Sequence, residues 1–97
     1  MTPIWYGYAK RIARSYIYDQ NSDDVDAIRR TEAVEAAIRA TEAQMDGKSR
    51  MDAINMVLLR GTHTAAGASI LIPASERTIN RWTKQFVLAI GEYLELP

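Results

Sequence analysis

The sequence predicts an all-α fold: a bundle of four to five helices, with a helix-turn-helix near its C-terminal end and a long last helix. Three observations carry this expectation. Apolar residues recur at helical spacing through almost the whole chain. Strand-like runs are short and broken by alanine and charge. Cap and breaker residues, among them Ser22, Gly47, Gly61, Pro73 and Ser75, fall between the periodic segments and keep the connections short. The 97 residues are enough for one domain, 1–97. Within it, 1–46 reads as a helical support or interaction region and 48–96 as the helix-turn-helix region.

The first helix is expected from about Pro3 to Ile17. Proline suits a first helical position, where its missing N–H costs nothing. Trp5, Tyr8, Ile12 and Tyr16 share one face, and Lys10, Arg11 and Arg14 lie off it. After a polar break, the second helix is expected from about Asp24 to Met45, capped by Ser22 or Asp23. Asp24 and Asp26 then sit where the helix dipole favours negative charge. Val34, Ile38 and Met45 form its apolar line, Glu35 and Arg39 are spaced as an ion pair, and Asp46-Gly47 ends it. A third helix, about Ser49 to Arg60, turns Met51, Ile54, Val57 and Leu58 inward, and Gly61 stops it. Thr62 or Thr64 caps a short helix, Ala65 to Leu71, which Pro73 cannot continue. Ser75 caps the last helix, Glu76 to about Leu94.

Composition narrows the function classes. The apolar fraction is 47% and the charged fraction 25%, as in ordinary globular proteins. No run approaches the roughly 20 apolar residues of a membrane span. The N-terminus lacks the order of charge and apolar core of a signal peptide. There is no cysteine, which excludes disulfides and thiolate metal sites and fits a cytoplasmic setting. The one histidine, His63, rules out a multi-histidine site and reads as a surface or capping residue. Asp23, Asp24 and Asp26 lack the glycine and closing glutamate of a calcium loop. No glycine-rich phosphate loop is present. The expectation is therefore a protein that is not an enzyme and takes no cofactor or metal.

The net charge is zero, yet charge is segregated along the chain. Residues 1–18 carry three bases and no acid, and residues 19–46 carry eight acids and three bases. Residues 47–90 carry six bases and two acids. A basic segment beside an acidic one fits an anion-binding face on one side of the molecule. The acidic second helix is by default solvated, with a protein-binding face as the alternative. The N-terminus is aromatic, with Trp5, Tyr6, Tyr8, Tyr16 and Tyr18; Trp5, Tyr8 and Tyr16 are expected to pack in the core, and base stacking and an oligomer contact are the alternatives.

Residues 64–84 carry the functional signal. A short helix, a tight turn and a second helix with basic residues near its start form the arrangement that places a recognition helix in the DNA major groove. Ala68 and Ser69 are small where the second helix must cross. Ile72 and Ala74 are apolar on either side of Pro73, and Ile79 and Trp82 point inward, with Phe86 and Ile90 extending the stripe. Glu76, Arg77, Asn80, Arg81 and Lys84 remain outward. Arginine can pair two-fold with guanine and asparagine with adenine, so Arg77, Asn80 and Arg81 are assigned to base edges. Lys84, Thr78 and Arg60 are assigned to phosphates.

The string SERTINRW, with the flanking AINMVLLRGTHTAAGASILIPA and TKQFVLAIGEYLEL, resembles the C-terminal part of small phage transcriptional activators. These are the ArpU/RinA-like late regulators, whose helix-turn-helix is similar to region 4 of sigma factors. The matching residues are Leu59-Arg60-Gly61, the alanine-rich Ala65 to Leu71, and Ser75, Thr78, Ile79, Arg81 and Trp82, within about residues 50–96. Pro73 stands where glycine is common. The resemblance implies a phage or prophage origin, promoter double-stranded DNA as ligand and host RNA polymerase as partner. One motif on a neutral domain makes few phosphate contacts, so a homodimer or the polymerase would be needed to strengthen binding. The alternative reading is a non-catalytic adaptor or small DNA-packaging subunit that uses the same helical shape to bind protein.

Overall fold

The computed structural model describes residues 2–97. Among them are five α-helices, one π-helical segment and no strand. The helices are α1 (Tyr6–Asp19), α2 (Val25–Glu42), α3 (Gly47–Ile54), α4 (Ala65–Leu71) and α5 (Glu76–Tyr93), with the π segment Asn55–Leu59 between α3 and α4.

α1 starts later than Pro3: the Pro3 carbonyl accepts from the Tyr6 N–H in a preceding turn. Its buried residues are Ala9, Ile12 and Ala13, flanked by the partly buried Trp5, Tyr6 and Tyr16. Tyr8, expected in the core, is 46% exposed. The buried stripe centres on Ala9 and Ala13, whose small side chains let α1 lie close to its neighbours, and this turns Tyr8 outward. Tyr18 is exposed as well.

α2 repeats the device with Ala27, Ala33 and Ala37 beside Val34 and Thr41. Asp24, not Ser22 or Asp23, is its cap, accepting from the Ala27 N–H, while the Ser22 hydroxyl accepts from the Asp24 N–H. α2 ends at Glu42, three residues early, so Met45 lies outside it and is 84% exposed. The reversal is made by Asp46 at φ 60°, not by Gly47. Gly47 opens α3, and a Cβ there would run into the Glu42 carbonyl. Glycine is required by space at this position, and α3 begins two residues before Ser49. The spacing-based pair Glu35–Arg39 is not among the ion pairs of the described residues, which are Asp19–Arg30 and Lys48–Asp52.

The expected third helix is continuous in direction but changes pitch. Over Asn55–Leu59 it becomes π-helical, and the Arg60 N–H donates to the Asn55 carbonyl. Gly61, at φ 65°, then turns the chain with a backbone conformation that costs glycine little.

Two apolar clusters result. The larger joins α1, α2, the α3–π segment and α5 around Val34, Ile54, Leu58, Phe86, Val87 and Ile90. The smaller joins α3, α4 and α5 through Ala53, Ala68, Ile72, Ile79 and Trp82. α5 runs through both. Each fully buried large side chain contributes about 1.5–3 kcal/mol. Trp5 closes the large cluster by lying on Gly91, where a Cβ would meet its ring.

α1 and α2 are clamped at one end by Asp19. Arg30 donates to it twice, at 3.0 and 3.3 Å, and the Ser15 hydroxyl donates at 2.9 Å. The hydrogen bonding from Arg30 holds the Asp19 carboxyl below its ordinary range, against the opposing effect of burial. A lowered folded-state pKa means stability that is present above the unfolded value, about 3.9, and lost as pH falls through the folded value. Asp19→Asn should therefore cost about 1 kcal/mol at pH 7, the partial exposure of Arg30 keeping the figure small. The gap between wild type and variant should close as pH falls below 4, as read by urea unfolding at pH 7 and pH 3. A gap that stays constant would remove the clamp from the account.

Candidate nucleic-acid interface

The C-terminal unit is built from local chemistry. Thr64 caps α4, its Oγ1 accepting from the Gly67 N–H at 3.0 Å. α4 ends because Ile72, preceding a proline, is extended at φ −119° and ψ 138°. The Ala74 N–H donates to the Ile72 carbonyl at 2.7 Å, which tightens the turn. Ile72 is buried and Ala74 partly buried against the small cluster. Ser75 caps α5: its Oγ accepts from the Thr78 N–H at 3.1 Å and donates to Thr78 Oγ1 at 3.0 Å.

The buried face of α5 is Ile79, Trp82, Thr83, Phe86, Val87, Ile90 and Gly91. Arg77, Asn80, Arg81 and Lys84 are exposed. At 3.6 residues per turn these four fall within an arc of about 100° over about 10 Å of helix. None of the four takes part in an ion pair or side-chain hydrogen bond with the described residues. Glu76 is exposed to one side of the arc, in the first turn, where the dipole favours it. Thr78 lies on the other side, half-buried, with its hydroxyl oxygen already accepting from Ser75. It can still donate to a phosphate.

Arg60 is placed differently. It lines an open groove with Arg14 of α1, His63 and Thr64, and no residue of α5 takes part in that lining. Any phosphate it meets is held apart from those along α5.

Arg50 has a structural role that sequence reading missed. Its guanidinium lies 5.3 Å from the centre of the Trp82 ring. Its Nε donates to the Met45 carbonyl at 3.0 Å and its Nη1 to Gln85 Oε1 at 3.1 Å. It thereby ties the α2–α3 connection to α5 at Trp82 and Gln85. Its distance of 32 residues from Trp82 leaves no local signal.

Among the described residues no group of three or more histidines and carboxylates is placed to hold a metal ion. Among the same residues no helix is long and apolar enough to cross a membrane. No protein-family model, curated protein or solved structure matches this chain. The architecture is an all-α, five-helix domain.

Proposed function

We propose that this chain is a non-catalytic, sequence-specific binder of double-stranded DNA, acting in transcription like the phage regulators that its SERTINRW segment resembles. The observation that carries the reading is the exposed arc of Arg77, Asn80, Arg81 and Lys84 on the first turns of a rigidly seated helix. In this reading α4 and α5 form the helix-turn-helix and α5 enters the major groove. Arg77, Asn80 and Arg81 meet base edges, while Lys84 and Thr78 meet backbone phosphates. Base-reading residues need a fixed platform, and the Ser75 cap, the buried Ile79–Trp82 pair and Arg50 supply it. RNA polymerase and a second copy of the chain remain the partners that would add affinity.

Selection from a randomised-core duplex library should yield a preferred sequence. Affinity for it should fall steeply between about 50 and 200 mM salt. Arg77→Ala/Arg81→Ala should weaken binding about a hundredfold or more, each lost bidentate pair being worth about 1–3 kcal/mol. A folded double variant that binds as well as wild type would overturn the assignment. The adaptor reading draws on one feature, the exposed apolar pair Ile70 and Leu71 at the end of α4. Binding through that pair to a protein would be insensitive to salt.

A further inference from the structure

The groove that holds Arg60 brings together residues from three places in the chain. Arg14 comes from the middle of α1, Arg60 from the end of the π segment, and His63 and Thr64 from the loop before α4. No carboxylate lines it, unlike the grooves beside Asp26 and beside Glu42 and Asp52. Arg14 and Arg60 are exposed, and neither is ion-paired or hydrogen-bonded through its side chain to any described residue. Two unpaired guanidiniums and an imidazole facing one open groove, without a carboxylate, attract an anion.

We propose that this groove is a second phosphate-binding site that holds the backbone of the same duplex, away from the segment that α5 reads. The proposal rests on the reading of α5 given above. α4, which follows the groove and precedes α5, spans about 10 Å. The longest dimension of the whole molecule is 38 Å, comparable to one turn of DNA, about 34 Å. The groove and the arc on α5 therefore lie within about one turn of duplex of each other. Guanidinium contacts to phosphate hold register without reading sequence, so the groove adds affinity and orientation. It would offset the zero net charge of the chain by concentrating unpaired base where the duplex passes.

The test uses the full chain, a fluorescent 30-base-pair mixed-sequence duplex and a salt series, with wild type, Arg14→Gln/Arg60→Gln and Arg77→Ala/Arg81→Ala compared. His63 is the only histidine, so its imidazole resonances report on the groove directly. Each phosphate contact contributes about 0.9 to the slope of log affinity against log salt. Arg14→Gln/Arg60→Gln should therefore lower the slope by about 1.8, and the His63 resonances should stop moving when duplex is added. In Arg77→Ala/Arg81→Ala at saturating duplex they should still move. All four substituted residues are exposed, so the fold should be unaffected, which circular dichroism checks. An unchanged slope and His63 response in the Arg14/Arg60 variant, with binding lost in the Arg77/Arg81 variant, would overturn the groove and leave the α5 reading standing. A lowered slope in the first with wild-type binding in the second would keep the groove and overturn the α5 reading. Movement of the His63 resonances by inorganic phosphate, together with an unchanged duplex slope, would make this a free-phosphate site and overturn the proposal. No duplex binding by wild type would overturn both.

Discussion

Gly91→Ala should destabilise the protein by about 2 kcal/mol or more, although alanine is the better helix former by about 1 kcal/mol. Gly91 is buried in the last turn of α5, and the six-membered edge of the Trp5 indole occupies the space a Cβ would fill. Either the indole leaves its seat or α5 shifts away from α1, and both open the large cluster. The loss is a substantial fraction of the roughly 5–10 kcal/mol expected for a chain of this length. A double-mutant cycle separates the clash from other effects. In a Trp5→Ala background the space is empty, so Gly91→Ala should become neutral or stabilising. The change of sign, read as urea midpoints, is the decisive result. If Gly91→Ala costs the same with and without Trp5, the contact is not what demands glycine. Fluorescence gives a second view: in a Trp82→Phe background, Gly91→Ala should shift Trp5 emission towards that of exposed indole.

The parts legible in the sequence are those whose causes are local. α4 has the expected limits, Ala65 to Leu71, because a threonine cap precedes it and a proline follows it. α5 starts at Ser75 and buries Ile79, Trp82, Phe86 and Ile90 because cap chemistry and helical period act within a few residues. The outward arc from Arg77 to Lys84 follows from the same period. What the sequence hid is tertiary. Tyr8 turns out because Ala9 and Ala13 are the residues that let α1 approach its neighbours. α2 stops early because the Glu42 carbonyl must meet a glycine, and that contact depends on the packed angle between two helices. The π segment has no residue pattern of its own. Arg14 and Arg60 are each visible as basic residues, but 46 positions separate them, so only the fold shows that they share a groove.

Trp82→Ala and Phe86→Ala should each cost about 3–5 kcal/mol, yet they should fail in different ways. The two residues lie one turn apart on α5 but serve different clusters. Trp82 packs with Ala53, Ala68, Ile72 and Ile79, and Arg50 stacks on its outer side. Phe86 packs with Ala9, Ile12, Val34, Leu58 and Ile90 among others. Removing Trp82 takes away the largest side chain that holds α4 and also strips Arg50 of its aromatic partner. The α4 amides from Ala68 to Ile72 should then exchange much faster than those of α1 and α2, which keep their own core. Removing Phe86 should speed exchange in α1, α2 and α5 together, with α4 following because its support on α5 is lost. Hydrogen exchange measured residue by residue distinguishes the two patterns. If Trp82→Ala instead lowers protection equally in all helices, the two clusters unfold as one unit. In that case, the turn between α4 and α5 has no local stability of its own. The partial pattern has a functional consequence under the DNA-binding reading. α5 would stay helical in Trp82→Ala, with Arg77 and Arg81 still exposed, but without α4 braced across it. Duplex affinity should then fall together with α4 protection, although no residue assigned to the duplex has been changed. Full affinity with an unprotected α4 would show that α5 binds without the brace and would remove α4 from the interface.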